Sequence, residues 1–64
     1  MDLFTSNNII VQVEDRDYHI ELFNFNNIEE VKEFYNYSLS EYKILDIRYF
    51  DGSKYINANV RDLL

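Results

Sequence analysis

Apolar and polar positions alternate from Ile9 onward: Ile9, Val11 and Val13 fall on one side, Ile10, Gln12 and Glu14 on the other. A period of two is the mark of a β-strand. The polar run Glu14-Asp15-Arg16-Asp17 interrupts it, and Tyr18, Ile20 and Leu22 then alternate against His19, Glu21 and Phe23. Closing the two segments over a four-residue loop built on a type I turn sets Val13 against Tyr18, Val11 against Ile20 and Ile9 against Leu22. All six then share one face, which is how register is normally specified.

The period changes at Asn27-Ile28-Glu29-Glu30. Asn27 can cap a helix, and Glu30 stands where a capping box places its acid. At 100° per residue Ile28, Val31, Tyr35, Leu39 and Tyr42 form one stripe with Phe34 at its edge, and Glu29, Glu30, Glu33, Tyr37 and Glu41 lie opposite. The early glutamates also suit the positive end of the helix dipole. Alternation resumes at Lys43, with Leu45, Ile47 and Tyr49 on one side and Ile44, Asp46, Arg48 and Phe50 on the other. Asp51-Gly52-Ser53-Lys54 holds the single glycine. A Gly-Ser type II′ turn there pairs Asp51 with Lys54, Phe50 with Tyr55, Tyr49 with Ile56, Ile47 with Ala58 and Leu45 with Val60. An Asp-Gly type I′ turn shifts the pairing by two and keeps the faces. The tail from Arg61 to Leu64 either ends the last strand or makes one helical turn.

The order is ββαββ. The expectation is one α+β domain over residues 1–64, a four-stranded sheet with one helix packed on one face. The core is expected to hold Ile9, Val11, Val13, Tyr18, Ile20, Leu22, Ile28, Val31, Tyr35, Leu39, Leu45, Ile47, Ile56 and Ala58. In element order and length the chain resembles the β-grasp domains of bacterial immunoglobulin-binding proteins. That arrangement and an all-antiparallel sheet both fit, differing in whether the central strand pair is parallel. Fold alone carries no function.

One helix cannot cover two sheet faces. By alternation the far face holds Ile10, Phe23, Phe25, Ile44, Phe50 and Tyr55 among His19, Glu21, Asp46, Arg48, Asn57 and Asn59. A solvated face is mostly polar, so these six define a candidate apolar interface, for a partner or for a second copy in a homodimer. The competing arrangement folds the tails over it, with Leu3, Phe4, Leu63 and Leu64.

Charge adds a second surface. The chain of 64 residues has twelve acids, six bases and a net charge of −6. Residues 1–42 hold nine acids against Arg16 and Lys32, a net −7, and residues 43–64 hold three acids against four bases, a net +1. Such a field repels nucleic acid and membranes and attracts basic protein surfaces. Glu14, Asp15, Asp17, Glu29, Glu30, Glu33, Tyr37 and Glu41 are the candidate partner-binding set. A domain roughly 25 Å across spans about fifteen duplex phosphates. Twelve acids spread over several faces can imitate a nucleic-acid backbone only in part.

Other chemistry is thin. With no Cys and one His, disulfides and thiolate zinc sites are excluded and no cofactor is expected. Asp17, His19 and Glu21 alternate on one strand as the sole conceivable metal or acid–base group, and such a trio is more often an ordinary strand surface. Asp15-Arg16-Asp17 begins like a calcium loop but lacks its glycine and closing glutamate. Phe23, Arg48, Phe50 and Tyr55 suggest a base-stacking platform for single strands, which the −7 segment opposes. No signal-peptide pattern and no run of ~20 apolar residues is seen, so a cytoplasmic location is expected, that of a host cell if the chain is phage-encoded. The sequon Asn36-Tyr37-Ser38 then carries no weight. The reading is a non-enzymatic protein-binding module, an inhibitor that occupies a basic, nucleic-acid-binding surface of a target. A small homodimeric accessory protein is the alternative and a single-strand binder the third. A small, acidic chain rich in Asn, Ile, Tyr and Phe, as AT-rich coding gives, is similar in general character to phage anti-defence proteins, some anti-CRISPR proteins among them.

Overall fold

The computed structural model describes residues 3–38 and 41–59. Strands β1 (Ile9–Asp15) and β2 (Ile20–Phe25) precede helix α1 (Ile28–Ser38), and β3 (Tyr42–Phe50) and β4 (Tyr55–Ala58) follow it. They form one open sheet in the order β2-β1-β3-β4. All three strand pairs are antiparallel. The fold is therefore the α+β ββαββ architecture with an antiparallel central pair. Both β2 and β3 run against β1, so they run parallel to one another with β1 between them. Strands of the same direction need a long connection, and α1 supplies it. Among the described residues no helix is long and apolar enough to cross a membrane.

The core lies between α1 and one face of the sheet. Ile9, Val11, Val13, Ile28, Val31 and Ile47 are buried there, as the periodicities predict, and Leu3 joins them. The Asn27 side chain accepts the Glu30 N–H at 2.9 Å, and Glu30 reaches back to the Asn26 N–H at 3.3 Å. That is the reciprocal cap expected of Asn27 and Glu30, with the return bond one residue further out. The helix ends at Ser38, so Tyr42 opens β3 and does not extend the helical stripe. Leu39 lies outside the described residues.

The β3–β4 hairpin has the expected register: Phe50 pairs with Tyr55, Tyr49 with Ile56 and Ile47 with Ala58. Asp51 N–H donates to the Lys54 carbonyl at 3.0 Å, closing a two-residue loop. Gly52 sits in it at φ +107°, a conformation that favours glycine. The expected Leu45–Val60 pair falls on Val60, outside the described residues.

The β1–β2 hairpin differs from the expected one. Val13 faces Glu21, Val11 faces Phe23 and Ile9 faces Phe25. The loop has three residues, Arg16 to Tyr18. Tyr18 N–H donates to the Asp15 carbonyl at 3.1 Å and Asp15 N–H to the His19 carbonyl at 3.0 Å. Tyr18 holds a left-handed φ of 66°, the usual third residue of such a loop though rarely a tyrosine. The pairing is offset from the expected one by an odd number, so every side chain of β2 changes face. Phe23 and Phe25 turn toward α1, and Tyr18, Ile20 and Leu22 leave the predicted core at 81%, 50% and 67% exposure. Phe34 drives this choice. Its ring centroid lies 5.1 Å from Phe23 and 5.3 Å from Phe25, tilted contacts that aromatic pairs favour.

A second parity change occurs inside β3. Asp46 faces Gln12 and Ile44 faces Val13, so Leu45 has no counterpart on β1. This β-bulge carries Ile44 and Tyr42 onto the core side and leaves Leu45 41% exposed. The Tyr42 ring joins Phe23 at 5.8 Å and Phe34 at 5.9 Å. Leu45 is thus not a core residue, and Ile44 is not on the far face.

Candidate protein-binding surfaces

The registers arrange the open face of the sheet in cross-strand rows. Ile10, Gln12 and Glu14 of β1 stand beside Asn24, Leu22 and Ile20 of β2 and beside Arg48, Asp46 and Lys43 of β3. Phe50 and Tyr55 end the face as an edge-on aromatic pair with centroids 5.2 Å apart. The Tyr55 hydroxyl accepts from the Asn8 side chain at 3.0 Å. Of the six residues expected there, Ile10, Phe50 and Tyr55 are present. Phe23, Phe25 and Ile44 face the helix, and Ile20, Leu22 and the bulged Leu45 are exposed in their stead. Strand periodicity could not find this exchange, because both sides of β2 are apolar. A shallow hollow of about 230 Å3 lies between Ile10, Gln12, Leu22, Asp46 and Arg48, with Arg48 Nε bonded to Asp46 Oδ2 at 2.7 Å.

Among the described residues, Leu3 and Phe4 do not cover this face. Leu3 is buried in the helix-side core, and the Phe4 ring lies 5.8 Å from Lys32 Nζ on α1. The Ser6 hydroxyl is buried, within 3.1 Å of the Asn8 carbonyl and 2.9 Å of the Phe50 carbonyl, and accepts the Asn8 N–H at 3.2 Å. These bonds fasten the segment at the end of β1. Leu63 and Leu64 lie outside the described residues. The stacking platform suggested by Phe23, Arg48, Phe50 and Tyr55 loses Phe23, which stands on the opposite side of the sheet.

The acidic residues divide among three places. Glu29 and Glu33, with the exposed Tyr37, run along the outer side of α1 at successive i,i+4 positions. Glu30 is occupied by the cap. At the opposite pole are Asp15 and Asp17 of the β1–β2 loop, with Glu41 next to Tyr42, the residue paired with Asp15. Glu14 belongs to neither group, because it points to the open face beside Lys43. No single array of eight is formed.

Asp15 is held by the loop. Its Oδ1 accepts the N–H of Asp17 at 2.8 Å and of His19 at 2.9 Å, and Oδ2 lies 3.6 Å from His19 Nδ1. The bond from the His19 N–H, first of all, lowers its pKa from the ordinary aspartate value, aided by Asp17 N–H and by the nearby imidazole. Ligand-type atoms of Asp15, Asp17 and His19 lie within 4.8 Å of one another. The trio that converges therefore contains Asp15 where periodicity offered Glu21, which stands across from Val13 on the helix-side face. The side-chain bonds of Asp15 close the turn, as Asp does in turns generally. Asp51 plays the same part in the second hairpin. Its Oδ1 accepts Lys54 N–H at 2.9 Å, Ser53 N–H at 2.9 Å and the Ser53 hydroxyl at 3.0 Å. These bonds, that from Lys54 N–H foremost, lower its pKa.

Comparison of the chain with protein-family models, with curated proteins and with solved structures returned no match.

Proposed function

We propose that this chain is a non-enzymatic protein-binding module of inhibitor type, which occupies a basic, nucleic-acid-binding surface of a target protein through the outer side of α1. The observation that carries the reading is the row Glu29, Glu33 and Tyr37. Each is exposed, Tyr37 to 88%. Lys32, the one base of the helix, is turned to the Phe4 ring, so neither glutamate is neutralised by it. Successive members stand about 6 Å apart along the axis. Solvated carboxylates on a rigid helix speed encounter with a basic surface and bias the choice of partner. An exposed tyrosine beside them is the residue type that anchors interfaces. Glu41, Asp15 and Asp17 extend the negative field toward the other pole.

The test uses the whole chain as bait in native lysate beside a Glu29→Lys/Glu33→Lys variant and a Phe50→Ser/Tyr55→Ser variant. The expected result is a captured protein with a basic surface. Its capture is lost with the helix variant, lost in about 0.5 M salt, and displaced by duplex DNA or RNA. Capture that survives the helix reversal and disappears with the Phe50/Tyr55 variant would move the function to the open sheet face and overturn the proposal.

A further inference from the structure

We propose that β2 is a docking edge, and that it pairs antiparallel about Leu22 with β2 of a second copy of this chain to make one continuous sheet. In an antiparallel ladder, residues alternate between pairs that exchange main-chain bonds and pairs that do not. The bond from Asp15 N–H to the His19 carbonyl fixes the phase. Counting by two, Glu21, Phe23 and Phe25 spend their main-chain groups on Val13, Val11 and Ile9. Those of Ile20, Leu22 and Asn24 therefore point outward from the edge of the sheet.

Sheet edges are normally guarded by charged side chains, lysine above all, and by proline, bulges or shortness. The β2 sequence Ile-Glu-Leu-Phe-Asn-Phe carries one charge, Glu21, has no lysine and no proline, and pairs with β1 without a bulge over all six residues. The opposite edge, β4, has only four residues. The two side chains flanking the outward main chain, Ile20 and Leu22, are apolar and at least half exposed.

The occupant follows from symmetry and charge. A two-fold axis at Leu22 sets Leu22 beside its own copy and Ile20 beside Asn24, so each pair can exchange main-chain bonds. On the helix side the same register sets Glu21, the only charge in β2, against Phe23 of the copy and not against a second carboxylate. An isologous contact of this kind closes on itself. Pairing β2 to β4 would instead propagate without end. A contact along one edge is smaller than a standard interface, so the dimer is weak and dissociates on dilution. Both copies are acidic, so added salt tightens it. That dependence is opposite to the one expected of the basic partner, which keeps the two proposals separable.

Sedimentation velocity from about 10 µM to about 1 mM, the range a sub-standard contact requires, should show a monomer–dimer equilibrium that shifts toward dimer with salt. Amide exchange of Ile20, Leu22 and Asn24 should slow as concentration rises. Leu22→Lys, which sets two ammonium groups across the axis, should weaken association about tenfold or more and leave the circular dichroism unchanged. Phe50→Ser/Tyr55→Ser should leave the dimer intact. A strict monomer at the top concentration overturns the proposal. So does a dimer whose β2 amides exchange as in the monomer, or whose slowed amides are those of Tyr55 and Asn57. The exchange experiment needs no variant, so a failure of Leu22→Lys to fold does not leave the question open.

Discussion

Tyr18 gives a test in which the usual order of two substitutions reverses. Its φ of 66° is left-handed, a conformation that costs an ordinary L-residue about 1–2 kcal/mol. Glycine escapes that cost but is about 0.5–1 kcal/mol worse than alanine in a regular strand, because it loses more backbone freedom on folding. Tyr18→Gly and Tyr18→Ala both delete a ring that is mostly exposed, so the lost contacts cancel between them. The glycine variant should therefore be the more stable by about 0.5–1 kcal/mol. In urea, with a slope near 1 kcal/mol per molar for so small a chain, the midpoints should differ by about 0.5–1 M. Thermal midpoints should differ by about 2–8 °C. The domain as a whole is worth only about 3–10 kcal/mol, so the difference is easily measured. Had the hairpin closed over a four-residue loop, Tyr18 would sit in a strand opposite Val13 and alanine would win. An alanine variant as stable as the glycine variant, or more so, refutes both the left-handed Tyr18 and the three-residue loop.

Three further outcomes follow from the same geometry. Ile44→Ala should cost about 1–3 kcal/mol and Leu45→Ala under about 1 kcal/mol, measured by urea unfolding; equal losses would argue against the bulge that turns only Ile44 inward. Asn27→Ala should cost about 1 kcal/mol and raise amide exchange in the first turn of α1 before the sheet. Asp15 and Asp51 have lowered pKa values in the fold, so their stabilising contribution is complete above the ordinary aspartate value of 3.8 and is lost as pH falls through the folded values. The urea midpoint should drop progressively below about pH 4, and Asp51→Asn, which keeps an acceptor oxygen without the titration, should flatten part of that drop.

Features that rest on local chemistry are legible in the residues alone. Asn27 and Glu30 mark the helix start because their side chains reach main-chain groups only a few residues away. Gly52, the one residue free to take a positive φ without strain, places the second turn, and the register from Phe50–Tyr55 to Ile47–Ala58 follows. Ile9, Val11 and Val13 alternate with Ile10, Gln12 and Glu14, of which only Ile10 is apolar, so their burial was legible too. The tertiary structure alone decided the inner faces of β2 and of the first half of β3. Both stretches carry apolar residues on either side: Ile20 and Leu22 against Phe23 and Phe25, and Ile44 against Leu45. Periodicity cannot rank two apolar faces. Phe34, contributed by the helix, offers ring contacts to Phe23 and Phe25, and one residue fewer in the hairpin loop brings those rings to it. The bulge at Leu45 then brings Tyr42 to the same cluster. The direction of the central strand pair and the division of the acids between helix side, loop pole and open face were likewise beyond local reading, because they depend on how elements distant in sequence are laid beside one another.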